Sequence, residues 1–496
     1  MKLRGWRQLC ALFLAPLVVA ACGSSDPPRG VIDSVQTYYG GIAADEPRAV
    51  QIGRDALSAG GNAMDAAISM YFALSVTLPS AAGLGGGGVC TVFDSKTNTA
   101  ATLDFTVAVP KAPASRGRLR VSVPGAARGM AALFARYGSL RWEQLVLPAE
   151  RLARFGTPIS RALLTEIKRD ASRLRSHVAT WRVFGGPDGK GFREGETLRQ
   201  LALAGALGRI RQRGAGSLYL GTLAKSIVAG VTAIGGGLTL EDLRNYRPKW
   251  RSTAAAEFGN HLIHFPSPPV AGGQIAKAMW SELGTGSRFV DASDAYRAIM
   301  VAEAARRAYA AADHRPTGDF GTAGFVAMDR FNNAVACSVG MNGRFGTARM
   351  IRGTGIIAAA APRPGRDDKV AMAPAVIANP HVAFSYLAAV GSGGAGAPVA
   401  LVSVLLRALK GKLPLDDALE GGRVYPALPS GAVLAENRVD AATRAALSDR
   451  GLSIEEVPPL GRVNIMYCPE SMARSPSLCE VRTDPRSHGY AINAEF

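Results

Sequence analysis

A glycine-rich segment, Gly83–Gly88, is the first stretch of this 496-residue sequence whose residue types could bind a ligand. It contains the pattern G-x-G-x-x-G, and Asp104 follows about twenty residues later, as in dinucleotide-binding folds. That fingerprint needs a strand before the glycines and a helix after them, because the helix N-terminus binds the pyrophosphate. Here the predicted helix precedes the glycines and the predicted strand follows them, so we predict no dinucleotide or other cofactor.

Short motifs of several hydrolase classes are missing from the sequence. There is no H-E-x-x-H and no G-x-S-x-G, so zinc-peptidase and α/β-hydrolase interpretations have no motif to support them. No group of Cys and His residues has the spacing of a metal site, and we predict no metal.

We predict different roles for different members of the 6 cysteines. Cys468 and Cys479 bracket a short polar loop, and in an oxidising compartment we expect a disulfide there, which stabilises by roughly 2–3 kcal/mol. Cys90 and Cys337 lie in apolar, strand-like runs, and we interpret them as small buried hydrophobic residues. Of the other two cysteines, Cys10 lies in the N-terminal leader and Cys22 directly follows it.

Residues 1–21 have the order of a bacterial secretion signal, with a cationic start and an apolar stretch from Leu9 to Ala20. Its end, Val19-Ala20-Ala21-Cys22, resembles the lipobox of bacterial lipoproteins, in which Cys22 becomes the lipidated first residue. An ordinary secretory cleavage site with an incidental cysteine is the alternative. Residues 22–30 are typical of a flexible tether. We therefore expect a lipid-anchored protein of the bacterial cell envelope, and by resemblance Gly23 favours the outer membrane, facing the periplasm.

Composition and charge restrict the remaining classes of function. Lys and Arg number 57 against 39 Asp and Glu, a formal net charge of +18. The excess is mostly Arg spread along the chain, with no aromatic-interleaved basic motif or basic tail, so we predict a solvated basic surface and no nucleic-acid partner. Past the N-terminus no run of about 18 apolar residues occurs, which excludes a polytopic membrane protein.

Helices and glycine-punctuated strands alternate along the rest of the chain, which indicates a globule of helix and sheet layers. The predicted helices are Ala49–Leu78 with a stop at Gly60–Asn62, Gly129–Thr165, Leu198–Gly230, Ala292–Ala312 and Pro398–Leu409. The predicted strands are Val89–Phe93, Ala101–Phe105, Thr322–Met328, Ala334–Val339 and strand within Val376–Val390.

Several segments in the same order along the chain resemble the γ-glutamyltransferase family. They are Gly60–Ala67, Pro79–Gly88, Leu103–Phe105, Pro124–Gly125, Tyr219–Ala224, Leu238–Leu243, Pro268–Gly273, Gly391–Gly394 and Thr483–Ser487. The resemblance implies an αββα four-layer sandwich, the α+β fold of the N-terminal-nucleophile (Ntn) hydrolases. It also implies one chain that cuts itself, here into residues 31–321, similar to the large subunit, and 322–496, similar to the small subunit, as parts of one globular unit.

The family's nucleophilic threonine, which an acidic residue follows seven positions later, falls on Thr322, with Asp329 and Asn332-Asn333 behind it. Gly321 places no side chain against the bond to be cut, so the Thr322 hydroxyl can attack the preceding carbonyl. The freed α-amine, with an ordinary pKa of about 7.7–8.0, can then serve as the base for that hydroxyl. A β-branched residue that merely opens a strand is the alternative.

Supporting positions are only partly present. The resemblance places a substrate-contacting asparagine at Asn342 and the oxyanion-hole amides at Gly393 and Gly394, where a plain turn is the alternative. Elsewhere the sequence departs from the family pattern. Thr106 stands in place of an arginine, Ala323-Gly324 in place of Thr-His, and Gly340 in place of a supporting threonine. Ala358–Pro362 replaces an Asn and Asp stretch, and Val370-Ala371 replaces two serines. Arg344, Arg349, Asp367 and Asp368 are the candidate substitutes.

These departures leave three functions open. The first is an Ntn amidase or acyltransferase that acts on γ-glutamyl or related small amides and peptides through Thr322. The second is an uncut, catalytically impaired scaffold of the same fold. The third is an amidase with another acyl preference, similar to cephalosporin acylases. Since a pocket that loses hydrogen-bonding partners for a charged group binds that group less tightly, we expect weakened γ-glutamyl specificity.

Overall fold

Two antiparallel β-sheets lie face to face at the centre of the protein. The computed structural model describes residues 40–111, 119–314, 320–363, 368–427 and 430–492. The leader, Cys22 and the tether lie outside the described residues, as does Asp367.

The helices surround these sheets. They are α1 (Pro47–Ser58), α2 (Ala63–Thr77), α3 (Ala126–Tyr137), α4 (Trp142–Phe155), α5 (Arg161–Arg169), α6 (Ala171–Arg175), α7 (Val178–Phe184), α8 (Leu201–Arg213), α9 (Gly221–Ala233), α10 (Leu240–Asn245), α11 (Ala271–Leu283), α12 (Arg288–Asp291), α13 (Asp294–Ala311), α14 (Ala397–Leu405), α15 (Leu415–Glu420) and α16 (Ala441–Asp449). Short 3-10 segments occur at Ala215–Leu218, Asp368–Ala371 and Pro476–Leu478, and a π-helical turn at Leu406–Lys410 follows α14.

Within the described residues, the strands form two large sheets and three small ones. They are β1 (Gly40–Ala44), β2 (Gly87–Asp94), β3 (Thr99–Asp104), β4 (Thr157–Pro158), β5 (Thr197–Leu198), β6 (Lys249–Arg251), β7 (Thr253–Phe258), β8 (His261–Pro266), β9 (Ala323–Asp329), β10 (Ala334–Gly340), β11 (Met350–Ile351), β12 (Ile356–Ile357), β13 (Ala373–Asn379), β14 (Phe384–Ser392), β15 (Val424–Pro426), β16 (Val433–Glu436), β17 (Ile454–Val457), β18 (Arg462–Tyr467), β19 (Glu480–Thr483) and β20 (Tyr490–Ile492). The first large sheet has the order β20-β1-β9-β10-β2-β3-β6, and the second β19-β18-β14-β13-β8-β7.

Side-chain alternation along the strands produces the layers. In β9, Phe325 and Ala327 pack under the helices α1 to α4, whereas Val326 and Met328 pack against the second sheet. The outer face of the second sheet packs on α11, α13 and α14. The order helix, sheet, sheet, helix confirms the predicted αββα sandwich.

Local sequence signals located several elements closely. The predicted stop at Gly60–Asn62 separates α1 from α2, and Gly60 has φ of +88°, where glycine is favoured. Asn62 and Asp65 form a capping box that starts α2. The predicted hairpin after Thr322 is present as β9 and β10. The stretch Val376–Val390 contributes to two strands, because the chain turns between Asn379 and Phe384.

The interpretation of Cys90 and Cys337 as unpaired buried residues is wrong. The two residues lie opposite each other on the neighbouring strands β2 and β10 and form a disulfide. They are 247 positions apart in the chain, so no local pattern brings them together. A second disulfide joins Cys468 and Cys479. In the described part of the chain, no helix has the length and apolar character needed to cross a membrane.

Candidate active site

Thr322 lies at one end of the sandwich, directly before β9, with its side chain fully buried. The backbone N–H of Gly393 donates to Thr322 Oγ1 at 2.8 Å and also to the Thr322 carbonyl at 3.2 Å. Gly393 follows the last residue of β14 and has φ of +100°, a region that favours glycine. A backbone donor is thus already aimed at the hydroxyl that the sequence selected as nucleophile.

Gly321 precedes this hydroxyl and has little room around it. Its φ is +61°, and a Cβ built there would lie 2.8 Å from Arg344 Cα. Only glycine combines this backbone conformation with that close approach. The orientation of the Gly321–Thr322 peptide bond in the site is therefore fixed.

A buried carboxylate organises the structure beneath Thr322. Asp45 follows β1, and its Oδ2 accepts from the Gly324 backbone N–H at 2.9 Å and from the Ser392 hydroxyl at 2.8 Å. Its other oxygen accepts from Asn464 Nδ2 at 2.9 Å. The side chain of Asp45 is only 2% exposed, so these donors replace water and hold the ends of β1, β9, β14 and β18 together.

Arg462, the first residue of β18, reaches the same place from the second sheet. Its Nη2 donates to the Thr322 carbonyl at 3.1 Å and lies 3.7 Å from Asp45 Oδ2. Register explains this position, since Arg462 is opposite Ser392, the residue before Gly393. Nothing in the sequence pattern pointed to Asp45, Arg462 or Asn464, because each lies more than a hundred positions from the residue it contacts.

The segment Thr483–Ser487 supports this end of the molecule through a buried ion cluster. Asp484 Oδ2 accepts from Arg423 Nη2 at 2.7 Å and from the Val463 backbone N–H at 3.0 Å. Arg486 pairs with Glu436 at 2.6 Å and with Asp484 at 3.3 Å. Burial raises the pKa of Asp484, but the two guanidiniums more than offset it, so that the pKa is below its ordinary value.

Asp329, the acidic residue predicted seven positions after the nucleophile, lies at the opposite end of β9. Its carboxylate accepts from the backbone N–H groups of Phe331, Asn333 and Ala63 and from Asn333 Nδ2. Burial raises its pKa above the ordinary value, although these hydrogen bonds lower it. Asp329 therefore holds the hairpin turn against the start of α2.

Asn342 lies near the site without contacting Thr322 directly. Its Nδ2 donates to the Ala360 carbonyl at 3.2 Å, and its Oδ1 accepts from the Asp368 backbone N–H at 3.1 Å. The Asp368 carboxylate accepts in return from the Asn342 backbone N–H at 2.9 Å. A Cβ at Gly340 would lie 2.2 Å from Asp368 Oδ2, so this carboxylate fills the space of the threonine that the family pattern has there.

The positions that depart from the family pattern, and their candidate substitutes, have other partners or carry no polar side chain. The Thr106 hydroxyl donates to Asp104 at 2.7 Å. Arg344 forms an ion pair with Glu166, and Arg349 donates to the Ile234 carbonyl at 2.6 Å. The segment Ala358–Ala361 contributes only methyl groups and backbone.

Two clefts flank the segment Phe320–Thr322. One contains Thr322 itself and is lined by Asp45, Glu166, Arg169, Arg462 and His488 among others. The other begins at Phe320 and is lined by Asn342, with Arg120, Arg173, Arg344 and Arg363. The Glu166–Arg344 pair joins residues of both clefts. Burial, followed by the charges of Arg161 and Arg462, lowers the pKa of His488, so the first cleft has a neutral histidine at neutral pH.

The glycine-rich segment Gly83–Gly88 serves packing. Cβ atoms at Gly85, Gly86 and Gly87 would lie 2.2–2.4 Å from backbone carbonyls of Ile357, Gly340 and Phe105. These close approaches bring the segment against the strands beside the site.

Among the described residues, no group of His, Cys, Asp and Glu has an arrangement that could hold a metal ion.

Known proteins are similar to this chain in sequence and in fold. The sequence matches the family description Gamma-glutamyltranspeptidase over residues 49–319 and 307–494. It is 31% identical over 295 residues to the glutathione hydrolase proenzyme of Bacillus subtilis (strain 168). The matched region covers 54% of this chain and 50% of that protein. It is 31% identical over 246 residues to Scoloptoxin SSD14 of Scolopendra dehaani, covering 47% and 43%. The match thus spans about half the length of these curated relatives.

Among solved structures, the cephalosporin acylase from Bacillus halodurans has a TM-score of 0.74 at 23% identity. The match covers 98% of this chain and 100% of the acylase. At that identity the likeness concerns the fold, and it extends over the whole sandwich.

Proposed function

Since this chain belongs to the gamma-glutamyltranspeptidase family, we propose that it is a self-processing Ntn amidase whose nucleophile is Thr322. The observation that supports this most directly is the Gly393 N–H that donates to Thr322 Oγ1 at 2.8 Å. It places the hydroxyl next to a preorganised donor of the kind that stabilises developing negative charge.

Processing would begin with attack of Thr322 Oγ on the carbonyl carbon of Gly321. The peptide C–N bond breaks, the nitrogen takes up the proton and becomes the free α-amine of Thr322, and an ester joins the two fragments. Water then hydrolyses the ester, leaving a carboxylate on Gly321 and restoring the hydroxyl. The mature site holds hydroxyl and amine on one residue, which is the arrangement of N-terminal threonine catalysis.

Turnover of substrate would repeat this chemistry in two stages. The α-amine accepts the hydroxyl proton as Oγ attacks an amide carbonyl, and the same proton leaves with the amine product. Water or an amine then attacks the ester, the C–O bond to Thr322 breaks, a proton of the attacking group passes through the α-amine to the Thr322 oxygen, and the acyl group leaves on the water or amine. The relatives named glutathione hydrolase suggest γ-glutamyl amides or related amides as substrates.

A changed acyl preference is the second candidate, favoured by the contacts of the positions that depart from the family pattern and of their candidate substitutes. Thr106 bonds with Asp104, Arg344 with Glu166, and Arg349 with a backbone carbonyl. An amidase that accepts simpler acyl groups fits these contacts better than one that must hold a free α-amino acid end. An uncut scaffold remains the alternative that the first experiment removes or establishes.

That experiment is mass spectrometry of the purified protein. We expect a fragment that begins at Thr322, its absence in Thr322→Ala, and its partial retention in Thr322→Ser, which keeps a hydroxyl. Fully active protein that stays one chain would sink the proposal. An inactive uncut wild type would establish the scaffold instead.

We also propose that the protein is lipid-anchored at Cys22, in the bacterial cell envelope, facing the periplasm, which rests on the sequence alone. Cys22→Ser should block processing of the leader or release the protein from membranes, whereas Cys10→Ser, a change within the leader itself, should fractionate like wild type. Unchanged membrane retention of Cys22→Ser, with normal leader removal, would count against the anchor.

A further inference from the structure

Arg462 contacts the nucleophile residue from the second sheet, and nothing in the processing chemistry described above uses it. Its Nη2 donates to the Thr322 carbonyl at 3.1 Å and lies 3.7 Å from Asp45 Oδ2. Its Nε is buried without a hydrogen-bond partner among the described residues. A Cβ at Gly393 would lie 3.3 Å from that Nε, so the guanidinium is packed against both Thr322 and Gly393.

The charges around the Thr322 amine can be assigned one by one. Arg169, Arg486 and His488 line the same cleft, as do Glu166 and Asp45, and Arg344 lies behind Gly321. Most of these are engaged elsewhere, since Glu166 pairs with Arg344 and Arg169, and Arg486 pairs with Glu436 and Asp484. Asp45 and Arg462 are therefore the charges that contact Thr322 or its strand neighbours directly.

These two charges act on the amine in opposite directions. A nearby carboxylate favours the ammonium form, whereas a nearby guanidinium disfavours it. Only the neutral amine can take a proton from the Thr322 hydroxyl. Arg462 both adds a like charge and neutralises Asp45, so its two effects have the same sign.

We propose that Arg462 is a positioning residue that keeps the freed Thr322 amine in its neutral, basic form. This rests on the proposed function, because the amine exists only after cleavage. In the uncut chain the same nitrogen is an amide and does not titrate. The residue should therefore affect the pH dependence of substrate turnover more than that of self-cleavage.

The test is the pH profile of kcat/KM for processed wild type, Arg462→Gln and Arg462→Lys. Removing the charge should move the acidic limb upward by about one pH unit or more, while lysine should keep it near the wild-type position. Arg169→Gln serves as a control for the loss of a cleft arginine that does not contact Thr322, and its limb should not move. A uniform loss of rate in Arg462→Gln with an unmoved limb would overturn the assignment.

A second measurement does not depend on the variant folding or processing. The α-amine of wild-type Thr322 can be titrated by the pH dependence of its reaction with an amine-selective label. We expect a midpoint below the ordinary pKa of about 7.7–8.0 for an α-amine. A midpoint at or above that range overturns the role of Arg462, whereas the absence of any new N-terminus overturns the proposed function itself.

A different observation supports a second inference. Cys90 lies in β2 and Cys337 in β10, on opposite sides of the Gly321–Thr322 bond in sequence and on neighbouring strands in space. Both are fully buried, and β10 also pairs with β9, the strand that follows Thr322. The other disulfide, Cys468–Cys479, lies wholly after Thr322.

The structure assigns to the Cys90–Cys337 disulfide the covalent joining of the two fragments after cleavage, which again rests on the proposed function. A central sheet whose strands come from both fragments would then not separate when the protein unfolds. The two products of self-cleavage would stay one covalent species until a reductant is added.

Denaturing electrophoresis with thiols blocked beforehand tests this directly. Wild type should migrate as one species without reductant and as two fragments with it. The double variant Cys90→Ser/Cys337→Ser should give two fragments in both conditions, whereas Cys468→Ser/Cys479→Ser should behave like wild type. Two fragments from wild type without reductant would overturn the inference. A single species in both conditions would mean that cleavage, and therefore the proposed function, has failed.

Discussion

The two halves of the candidate active site differ in how their polar groups are held. The nucleophile end comprises Asp45, Thr322, Gly393, Arg462 and Asn464. Here polar groups at or beside the ends of four strands form hydrogen bonds of 2.8–3.1 Å. At the pocket rim, which comprises Thr106, Gly340, Asn342, Ala358–Ala361 and Asp368, polar groups bond to close neighbours along the rim and the remaining positions are methyl groups.

Under the proposed function, this difference would make bond cleavage and substrate choice separable in the fold. The nucleophile end depends on strand ends that the sandwich itself holds in place, so its geometry survives a changed rim. Except for Gly340, which ends β10, and Asp368, which begins a 3-10 segment, the rim lies on loops, whose residues can change without disturbing the sheets. Under the proposed function, the chain keeps the residues for threonine chemistry, whereas rim positions that the family resemblance assigns to a charged acyl group hold Thr106 and methyl groups.

The largest expected effect tests how firmly the nucleophile end is held. Asp484→Asn removes the counter-charge of the buried Arg423 and Arg486 and should lower the free energy of unfolding by about 3–5 kcal/mol. Asp416→Asn breaks a partly exposed pair with Arg482 at 2.8 Å, close to the 2.7 Å of the buried Arg423–Asp484 pair, and should cost less than about 1 kcal/mol. Chemical denaturation of both variants provides the comparison. Similar midpoints would mean that the buried cluster is not what holds this end.

Substrate preference tests the rim. A γ-glutamyl anilide should be hydrolysed no more than about tenfold better, in kcat/KM, than simple acyl anilides without an α-amino acid end. The reason is that a lost charge partner costs about 2–5 kcal/mol, and Thr106 supplies no cation. A stronger preference would show that Arg120, Arg363 or another cation of the cleft that begins at Phe320 binds the α-carboxylate of the γ-glutamyl group.

The pH dependence of stability tests the titration of the scaffold, apart from that of the nucleophile. Burial lowers the pKa of His264 in β8 to about 4, against about 6.5 in an unfolded chain. The folded state therefore resists protonation, so stability should fall as pH drops from about 6.5 to about 4, by up to about 3 kcal/mol. His264→Gln should flatten this dependence, measured by denaturation at each pH, while replacing the exposed His381 should not. An unchanged slope in His264→Gln would assign the acid sensitivity to other groups.

The smallest effect concerns the space at Gly340. Gly340→Ala places a Cβ 2.2 Å from Asp368 Oδ2 and should lower the free energy of unfolding by about 1–3 kcal/mol. Gly205→Ala in α8, where no atom lies within 4 Å of the added Cβ, should be neutral or stabilise by up to about 1 kcal/mol. Thermal unfolding distinguishes the two. If Gly340→Ala is neutral, Asp368 moves easily and the rim is more adaptable than its contacts suggest.

Local sequence signals determined much of the scaffold. The Gly60–Asn62 stop and the capping box of Asn62 and Asp65 predicted the break between α1 and α2, because caps and breakers act within a few residues. The hairpin after Thr322 followed from apolar strands on either side of Asp329–Asn333 for the same reason. The αββα architecture itself came from the family resemblance, since period and turns indicate layers but not their order.

The contacts that define the site were decided only by the tertiary structure. Asp45 bonds to Asn464 across 419 positions, Arg462 reaches Thr322 across 140, and Cys90 meets Cys337 across 247. The resemblance selected Thr322 and Gly393, but strand register brought Arg462 beside them by placing it opposite Ser392. Register depends on how the strands of each sheet pair along their whole length and on the packing of both sheets, and no short stretch of the chain contains that information.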